Sequence, residues 1–405
     1  MQANIWKYYL FHFFLNFQLW WPIWIIYLTE ERGLTLGQVT LIDVPFWLSI
    51  IVLQIPAAAI ADRWGRKPTL LASATAFAAA VTFFGLATNF WLILGSYLVW
   101  GVAFALLSGT ESAFIYDSLK AMGRESEYAR IYGRGWAVAT VGGLTGTLLG
   151  APIADATSLP FPIVLSGGLA FFAAVAAFTF REPLIRDRET PHPSYAGIIG
   201  QSLGIVKRQP AVRYALMYFG LITMGSIGTV FFFQPFLVEH DVDLGQVGIW
   251  QTPMRVAGVI GALAAHRLIS GLGERRTFYG MAVLLVASYA LLASWDSVYA
   301  QVAFPVMNAM VVLSQPTVTN YLNHRVPSEQ RATVISLTNL MRSAILIPSA
   351  PLLGALAESS LLTAFMVGGG IIAVLGVPLL VLWTRHLDQE EAGEPVAAEP
   401  VPARD

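Results

Sequence analysis

Residues 58–67 read AAIADRWGRK and lie between two apolar blocks, 39–60 and 69–87, which together contain one charged side chain, Asp43. Charges confined to a short connection are expected where two membrane-spanning helices meet at the membrane surface. Because a helix needs about 20 apolar residues to cross the hydrocarbon core, each block is long enough to span it. Such blocks recur along the chain. The predicted spans are 5–28, 39–60, 69–87, 91–113, 134–154, 159–180, 213–236, 246–266, 277–294, 298–320, 332–354 and 361–384.

The composition excludes several other classes of protein. Of the 405 residues, 56% are hydrophobic and 12% are charged, whereas soluble proteins are about 25% charged. The chain has no cysteine, which excludes disulfides, thiol chemistry and iron–sulfur clusters. A net charge of −1 excludes a broad basic surface for nucleic acid. No metal site, cofactor or nucleic-acid partner is expected, and the first apolar block is interpreted as a retained span rather than a signal peptide.

The segments between spans alternate in charge, which predicts their orientation. One set is rich in lysine and arginine, whereas the other contains one basic residue, Arg32. Since cytoplasmic loops carry the basic excess, both termini are predicted to be cytoplasmic. The basic set comprises 62–67, 120–134, 181–213, 267–276, 325–331 and the tail from 385, and the other set comprises 29–38, 87–90, 155–159, 238–246, 294–297 and 358–360.

The spans fall into two groups of six. The predicted domains are an N-terminal bundle over 1–180, a cytoplasmic central loop with an amphipathic helix over 181–212, a C-terminal bundle over 213–385 and a disordered cytoplasmic tail over 386–405. The charged segment after span two is echoed after span eight, about 200 residues later, which indicates pseudo-symmetric halves. Small residues at Gly142, Gly143, Gly146 and Gly150 predict a close-packing helix face.

The chain resembles the major facilitator superfamily, and the resemblance covers nearly all of it. Residues 58–67 are similar to the loop signature between spans two and three, with Ala58 where glycine is usual. Residues 108–119 (SGTESAFIYDSL) and 327–334 (PSEQRATV) resemble the bacterial twelve-span branch that contains drug and small-molecule efflux members, and 142–152 resembles the span-five antiporter signature. The resemblance implies an all-α membrane fold of two six-helix bundles in the bacterial inner membrane, surrounded by lipid and monomeric.

The charged loop is expected to form a cytoplasmic gate. Asp62 ends a helix whose dipole disfavours an anion, so it requires a partner, which the resemblance places at the start of span eleven. Arg66 is expected to pair with Asp117 or Glu111, and Gly65 to close the turn. The alternative is that the basic residues are only membrane anchors. The gate candidates are Asp62, Arg63, Gly65, Arg66, Lys67, Glu111, Asp117, Arg331 and Arg342.

Polar groups inside spans are costly, so each is a functional candidate. Arg255 is predicted at mid-span, with Gln251 one turn before it, either as a partner for a substrate anion or proton or as a structural clamp. Asp43 is predicted at an outer gate or at the interface. The resemblance implies that spans one, four, seven and ten line the cavity. The substrate or coupling candidates are Arg255, Asp43, Asn16, Gln18, Tyr97, Trp100, Gln234, Asn308 and Gln315.

The leading hypothesis is a secondary active transporter that moves a small solute by alternating access. The cavity candidates include aromatic side chains and few fixed charges, which favours an amphipathic or neutral solute, with proton-driven efflux as the expected mode. Tyr97 replaces the span-four arginine frequent in antiporters, so a sugar or metabolite symporter or a uniporter stays open. An enzyme is not expected because nucleotide-binding and hydrolase motifs are lacking. A non-transporting receptor is disfavoured because no sizeable soluble domain is present.

Overall fold

A computed structural model describes residues 1–183, 204, 206–207, 209–326 and 328–391, and all regular structure within these ranges is helical. Most of the amphipathic helix predicted in the central loop and the end of the predicted tail lie outside the described residues. The chain divides into two compact units. Unit 1 comprises Met1–His192 and Gln234–Arg255, and unit 2 comprises Pro193–Phe233 and Val256–Asp405.

Residues 1–183 form eight α-helices. Their starts follow capping rules: the side chain of Thr35 accepts from the Gln38 backbone in a reciprocal capping box, and Asn89 accepts from Leu92. A π-helical turn, Tyr27–Glu31, extends the second helix. The helices are α1 (Gln2–Asn16), α2 (Trp24–Ile26), α3 (Leu36–Trp64), α4 (Arg66–Leu86), α5 (Phe90–Leu107), α6 (Thr110–Lys120), α7 (Tyr128–Ala156) and α8 (Pro160–Phe178).

The described part of the second half repeats several of these features. A short helix is again extended by a π-helical turn, here Gly228–Phe232. The last helix reaches Glu391, beyond the predicted start of the disordered tail. The helices are α9 (Pro210–Thr223), α10 (Gly225–Ile227), α11 (Phe233–Glu239), α12 (Val247–Ser294), α13 (Ala303–Arg325), α14 (Ser328–Ser359) and α15 (Leu361–Glu391).

Ten helical stretches among the described residues are long and apolar enough to cross a membrane. The prediction of twelve differs in two places. The first predicted span is not a continuous helix, because it breaks after Asn16 and leaves α1 with 15 residues. The eighth and ninth predicted spans lie in one long helical stretch, in which two helices meet at a kink where the backbone of Gly273 is not helical. The ten stretches are Leu36–Gln54, Arg66–Leu86, Phe90–Lys120, Glu125–Ala156, Pro160–Phe178, Val212–Glu239, Leu244–Ser294, Val298–Arg325, Leu340–Ser359 and Leu361–Arg385.

The charged segments after spans two and eight are similar in structure as well as in sequence. Gly65 has φ 107° and ψ 161°, and Gly273 has φ 80° and ψ 164°. Four residues later, Thr69 and Thr277 each donate a side-chain hydrogen bond of 2.8 Å to the carbonyl of that glycine. Both turns therefore use a backbone conformation that favours glycine, followed by the same helix-starting contact.

The glycines of α7 form the close-packing face that their spacing predicted. A Cβ on Gly142 would lie 2.8 Å from the carbonyl oxygen of Phe13, and one on Gly150 would overlap the carbonyl oxygen of Leu19. These obstacles are backbone atoms, which cannot rotate away. Small residues at this face therefore let the first segment of the chain pack directly against α7.

Adjacent glycines in α8 offer a matched test of this packing. A Cβ on Gly167 would lie 2.7 Å from the backbone nitrogen of Thr82, whereas one on Gly168 would meet nothing within 4 Å. Alanine favours a helix interior over glycine by about 1 kcal/mol, so Gly168→Ala should preserve or raise thermal stability. Gly167→Ala should lower it, by about 1–3 kcal/mol of overpacking. Thermal unfolding of the detergent-solubilised variants tests this, and equal effects would contradict the packing.

Candidate functional site

The turn at Gly65 is held by an acidic residue distant in sequence. The Glu182 carboxylate accepts hydrogen bonds of 2.7 Å from the backbone nitrogens of Arg66 and Lys67. These are the first amides of α4, which no residue of their own helix can satisfy. The carboxylate also lies at the positive end of the helix dipole. A Cβ on Gly65 would approach Glu182 Oε1 to 2.8 Å, so glycine is required by space as well as by backbone angle.

Arg66 joins the ends of α3 and α6. Its Nη1 lies 2.7 Å from Asp62 Oδ1, and its Nε lies 3.5 Å from Asp117 Oδ2. The pairing with Asp117 that the sequence predicted is confirmed. Because all three side chains are partly exposed, each contact contributes only about 0–1 kcal/mol. Such a network can break and reform without unfolding the helices.

The other gate candidates occupy different surroundings. Arg63 is exposed, and Lys67 Nζ lies 5.5 Å from the ring centroid of Phe178. Arg342 is half-buried on α14. Arg331 is on the same helix, but its side chain lies outside the described residues, so the expected contact between Asp62 and span eleven stays a prediction.

Glu111 contacts a buried histidine. Its Oε2 lies 3.0 Å from His12 Nε2, without the alignment of a hydrogen bond. His12 is 2% exposed, and its ring centroid lies 4.4 Å from that of Tyr8 and 6.0 Å from that of Trp136. An imidazole and a carboxylate are thus brought together on α1 and α6 in apolar surroundings.

The first predicted span breaks between α1 and α2. At the end of α1, Asn16 Nδ2 donates to the carbonyl of His12 at 2.9 Å, and Gln18 Nε2 donates to that of Leu15 at 3.2 Å. The last carbonyls of a helix have no partner within it, so these two candidate side chains satisfy the helix end.

Gln234 satisfies the other side of the break. Its Oε1 accepts from the backbone nitrogens of Ile25 at 2.9 Å and Ile26 at 3.3 Å, and its Nε2 donates to the carbonyl of Trp21 at 2.9 Å. The side chain is 1% exposed. The amide that sequence analysis proposed for substrate contact is therefore occupied by backbone groups. Leaving such buried groups unpaired costs about 1–3 kcal/mol each.

Arg255 lies against the same break. Its Cζ lies 5.3 Å from the ring centroid of Trp21, and a Cβ on Gly143 would come within 3.1 Å of its Nη1. Its Nε is buried without a hydrogen-bond partner, and the guanidinium forms no ion pair with any residue that the structure describes. A cation–π contact supplies about 0.5–2 kcal/mol, less than the roughly 2.5–3.5 kcal/mol cost of an arginine at mid-membrane. The observed contacts therefore leave its charge incompletely compensated.

A series of contacting tryptophan rings within unit 1 begins at the ring beside this arginine. The ring centroids of Trp20 and Trp21 lie 5.2 Å apart, and those of Trp20 and Trp100 lie 4.8 Å apart. The Nε1 atoms of Trp20 and Trp100 are buried and have no hydrogen-bond partner among the described residues. Tyr97 is buried beside Trp100, with ring centroids 5.7 Å apart.

Three predicted candidates lie away from the break. Asp43 accepts a hydrogen bond of 2.6 Å from Trp47 Nε1, one helical turn along α3. In unit 2, a Cβ on Gly258 would meet Asn308 Nδ2 at 2.6 Å, and Gln315 Nε2 lies 3.5 Å from Thr319 Oγ1.

Sequence reasoning missed the role of Glu182 and the pairing of His12 with Glu111. Glu182 lies just after span six and 116 residues from Arg66, so its only signal is an acidic residue beside a membrane surface. Glu111 was a gate candidate, but no local spacing connects it to His12.

The Gly65 turn yields a prediction with an internal control. Both Gly65→Ala and Gly273→Ala should lose about 1–2 kcal/mol, because a Cβ is strained at positive φ. Gly65→Ala should lose more, since only there does the new carbon meet a carboxylate. The additional loss of stability in Gly65→Ala should disappear when Glu182→Ala is also present. Chemical or thermal unfolding of the four variants measures it, and equal losses at both glycines would contradict the contact.

The chain is similar to known membrane transporters in sequence family and in structure. The model of the Major Facilitator Superfamily matches residues 9–350. A crystal structure of the nucleoside transporter NupG aligns with a TM-score of 0.76 at 13% identity, covering 95% of this chain and 98% of that one. A bacterial homologue of the human lysosomal transporter Spinster, inward-facing and occupied, gives 0.77 at 15% identity and covers 99% of each chain.

A curated relative matches over a shorter region. The probable folate-biopterin transporter 7 of Arabidopsis thaliana is 24% identical over 187 residues, which are 45% of this chain and 41% of that protein. The chain thus matches less than half of that relative. The superfamily match covers most of this chain, and the structural likeness supports the same fold. The chain therefore belongs to the Major Facilitator Superfamily and is a multi-pass membrane transporter of a small solute.

Proposed function

We propose that the chain is a proton-coupled secondary transporter that exports a small amphipathic or neutral solute by alternating access. Export is supported by the resemblance of residues 108–119 and 327–334 to the bacterial branch that contains efflux members, and of 142–152 to the antiporter signature. The proposed architecture is twelve spans in two six-helix bundles. The broken first span and the bend at Gly273 account for the two spans beyond the ten continuous stretches.

The proposed location is the bacterial inner membrane, with both termini in the cytoplasm and the transporter acting as a monomer among lipids. The loop charges support this orientation. It places the Gly65 turn at the cytoplasmic surface and segment 238–246 on the opposite side.

An outer gate is formed by Gln234 and the start of α12. Gln234 binds the backbone around the break in span one, and a Cβ on Gly248 would overlap the carbonyl oxygen of Thr147 on α7. Alternating access requires this segment to separate from α7. Each hydrogen bond contributes only about 0.5–1.5 kcal/mol net, so solute binding can provide enough energy to exchange them.

A cytoplasmic gate is formed by Asp62, Arg66 and Asp117 around the Gly65 turn. These partly exposed ion pairs connect the ends of three helices, α3, α4 and α6. Weak contacts suit a gate because they can break in each cycle. Arg63 and Lys67 hold the loop at the membrane surface, and Arg331 and Arg342 are further proposed members of the gate.

The buried contact between His12 and Glu111 carries the proposal of proton coupling. A pair that holds one proton is neutral overall, whereas gaining or losing a proton leaves a net charge in apolar surroundings. Among the described residues, the ionisable groups around it include the phenols of Tyr8, Tyr9, Tyr128 and Tyr132. A change in exposure between the two states would therefore load or release a proton at this pair.

Proteoliposomes with an entrapped pH dye test this proposal against a library of neutral and amphipathic solutes. An imposed pH gradient should drive accumulation of a solute in exchange for protons. Glu111→Gln and His12→Gln should abolish gradient-driven accumulation while retaining solute exchange at equilibrium, because only the coupling group is lost. As a control, Glu31→Gln removes a carboxylate whose side chain is 42% exposed and should change neither activity.

Gradient-driven accumulation at the wild-type rate in both variants would contradict the assignment of the proton site. Proton movement in the same direction as the solute would indicate a symporter, and flux that ignores every ion gradient would indicate a uniporter. Either result would replace the proposed exchange mechanism.

A further inference from the structure

We propose that Arg255, Gln251 and the tryptophans at 20, 21 and 100 form a binding site for a small amphipathic monoanion, a ring that carries one carboxylate. This inference rests on the proposed function and names the chemical class of its solute. The site is the break in span one together with the facing turn of α12.

The electrostatic part of the site is a single arginine. Arg255 lies over Trp21, in space that the absence of a side chain on Gly143 leaves open. Its charge has no acidic partner in the described part of the chain. A planar guanidinium binds a carboxylate through two parallel hydrogen bonds, so one bound carboxylate would neutralise it.

Hydrogen-bonding groups around the arginine also favour an anion. Arg255 Nε, Trp20 Nε1 and Trp100 Nε1 are buried donors without a partner among the described residues. Gln251 is 2% exposed, and its Oε1 is a buried acceptor that likewise lacks one. Buried polar groups are normally hydrogen-bonded, so several unpartnered groups along one connected path are unusual. Donors outnumber acceptors here, which matches a ligand group that only accepts.

The apolar part of the site is aromatic. Trp20 contacts both Trp21 and Trp100 edge to face, and Phe77 lies 5.6 Å from Trp100, centroid to centroid. Rings of this kind pack well against a planar apolar ligand. Because the site contains one cation, a second carboxylate would remain uncompensated, and a cationic ligand would be repelled. The combination therefore selects a ring with one negative charge.

Binding of three ligands with the same ring tests this selectivity. The probes are indole-3-acetate, indole-3-acetamide and tryptamine, which differ mainly in charge, and the readout is isothermal titration of the purified full-length protein. The acid should bind at least about tenfold more tightly than the amide, as expected for a charge-assisted contact, and tryptamine most weakly. Arg255→Gln should remove the preference while keeping affinity for the amide, which also reports a folded site.

Two further variants complete the test. Arg32→Gln is the matched control, since Arg32 lies 4.9 Å from the ring centroid of Tyr27 and outside the site, and it should retain the preference. Arg255→Lys keeps the charge but loses the planar fork, so it should show an intermediate preference even if Arg255→Gln does not fold. The inference is overturned if the acid and amide bind wild type equally, if none of the three binds, or if the preference survives in the position-255 variants.

Failure of this inference is distinguishable from failure of the proposed function. Proton-coupled flux of a neutral solute with no preference for acids would overturn the anion site and leave the transporter proposal intact. A strong preference for the acid without pH-driven flux would support the site and overturn proton coupling.

Discussion

The break in the first span leaves backbone groups that require hydrogen-bond partners, and side chains of unit 1 supply them. A helix that stops and restarts within a membrane exposes backbone carbonyls on one side and backbone amides on the other, and lipid cannot satisfy either. Asn16 and Gln18 satisfy the carbonyls from within the same segment. The amides of Ile25 and Ile26 instead depend on Gln234, more than 200 residues later. The unpaired backbone groups at the break are therefore satisfied by hydrogen bonds to a distant segment. Such hydrogen bonds can break and reform, as a gate requires.

The same principle operates at the Gly65 turn. The first amides of α4 donate to the Glu182 carboxylate, which caps the helix, and the Arg66 side chain pairs with Asp62 and Asp117. Both proposed gates therefore combine a strong backbone contact with weaker side-chain contacts. The strong contact fixes the geometry, and the weaker ones can change during transport.

Sequence reasoning predicted an all-helical, multi-pass membrane fold, because apolar length is a local property, whereas the structure gives ten continuous stretches and not the predicted twelve. It also anticipated the packing glycines of α7, the pairing of Arg66 with Asp117 and the echo of the Gly65 turn at Gly273. It did not predict the break after Asn16, because the block 5–28 is long and apolar enough to be interpreted as one span, although Asn16, Gln18 and Pro22 lie at the break. Long-range partners such as Gln234 and Glu182 were beyond its reach, because one sequence contains no signal that joins them to their amides.

Alternating access through the proposed outer gate requires segment 238–246 and the start of α12 to separate from α7. A Cβ on Gly245 would lie 3.6 Å from Asp155 Cβ, a separation that a disulfide can bridge. Because the chain contains no cysteine, two cysteines introduced at these positions could pair only with each other. The decisive measurement is solute flux in proteoliposomes containing the Asp155→Cys, Gly245→Cys double variant, with each single variant as a control. Oxidation should arrest flux in the double variant only, and a reductant should restore it. Undiminished flux through the fully cross-linked protein would contradict the proposed outer gate.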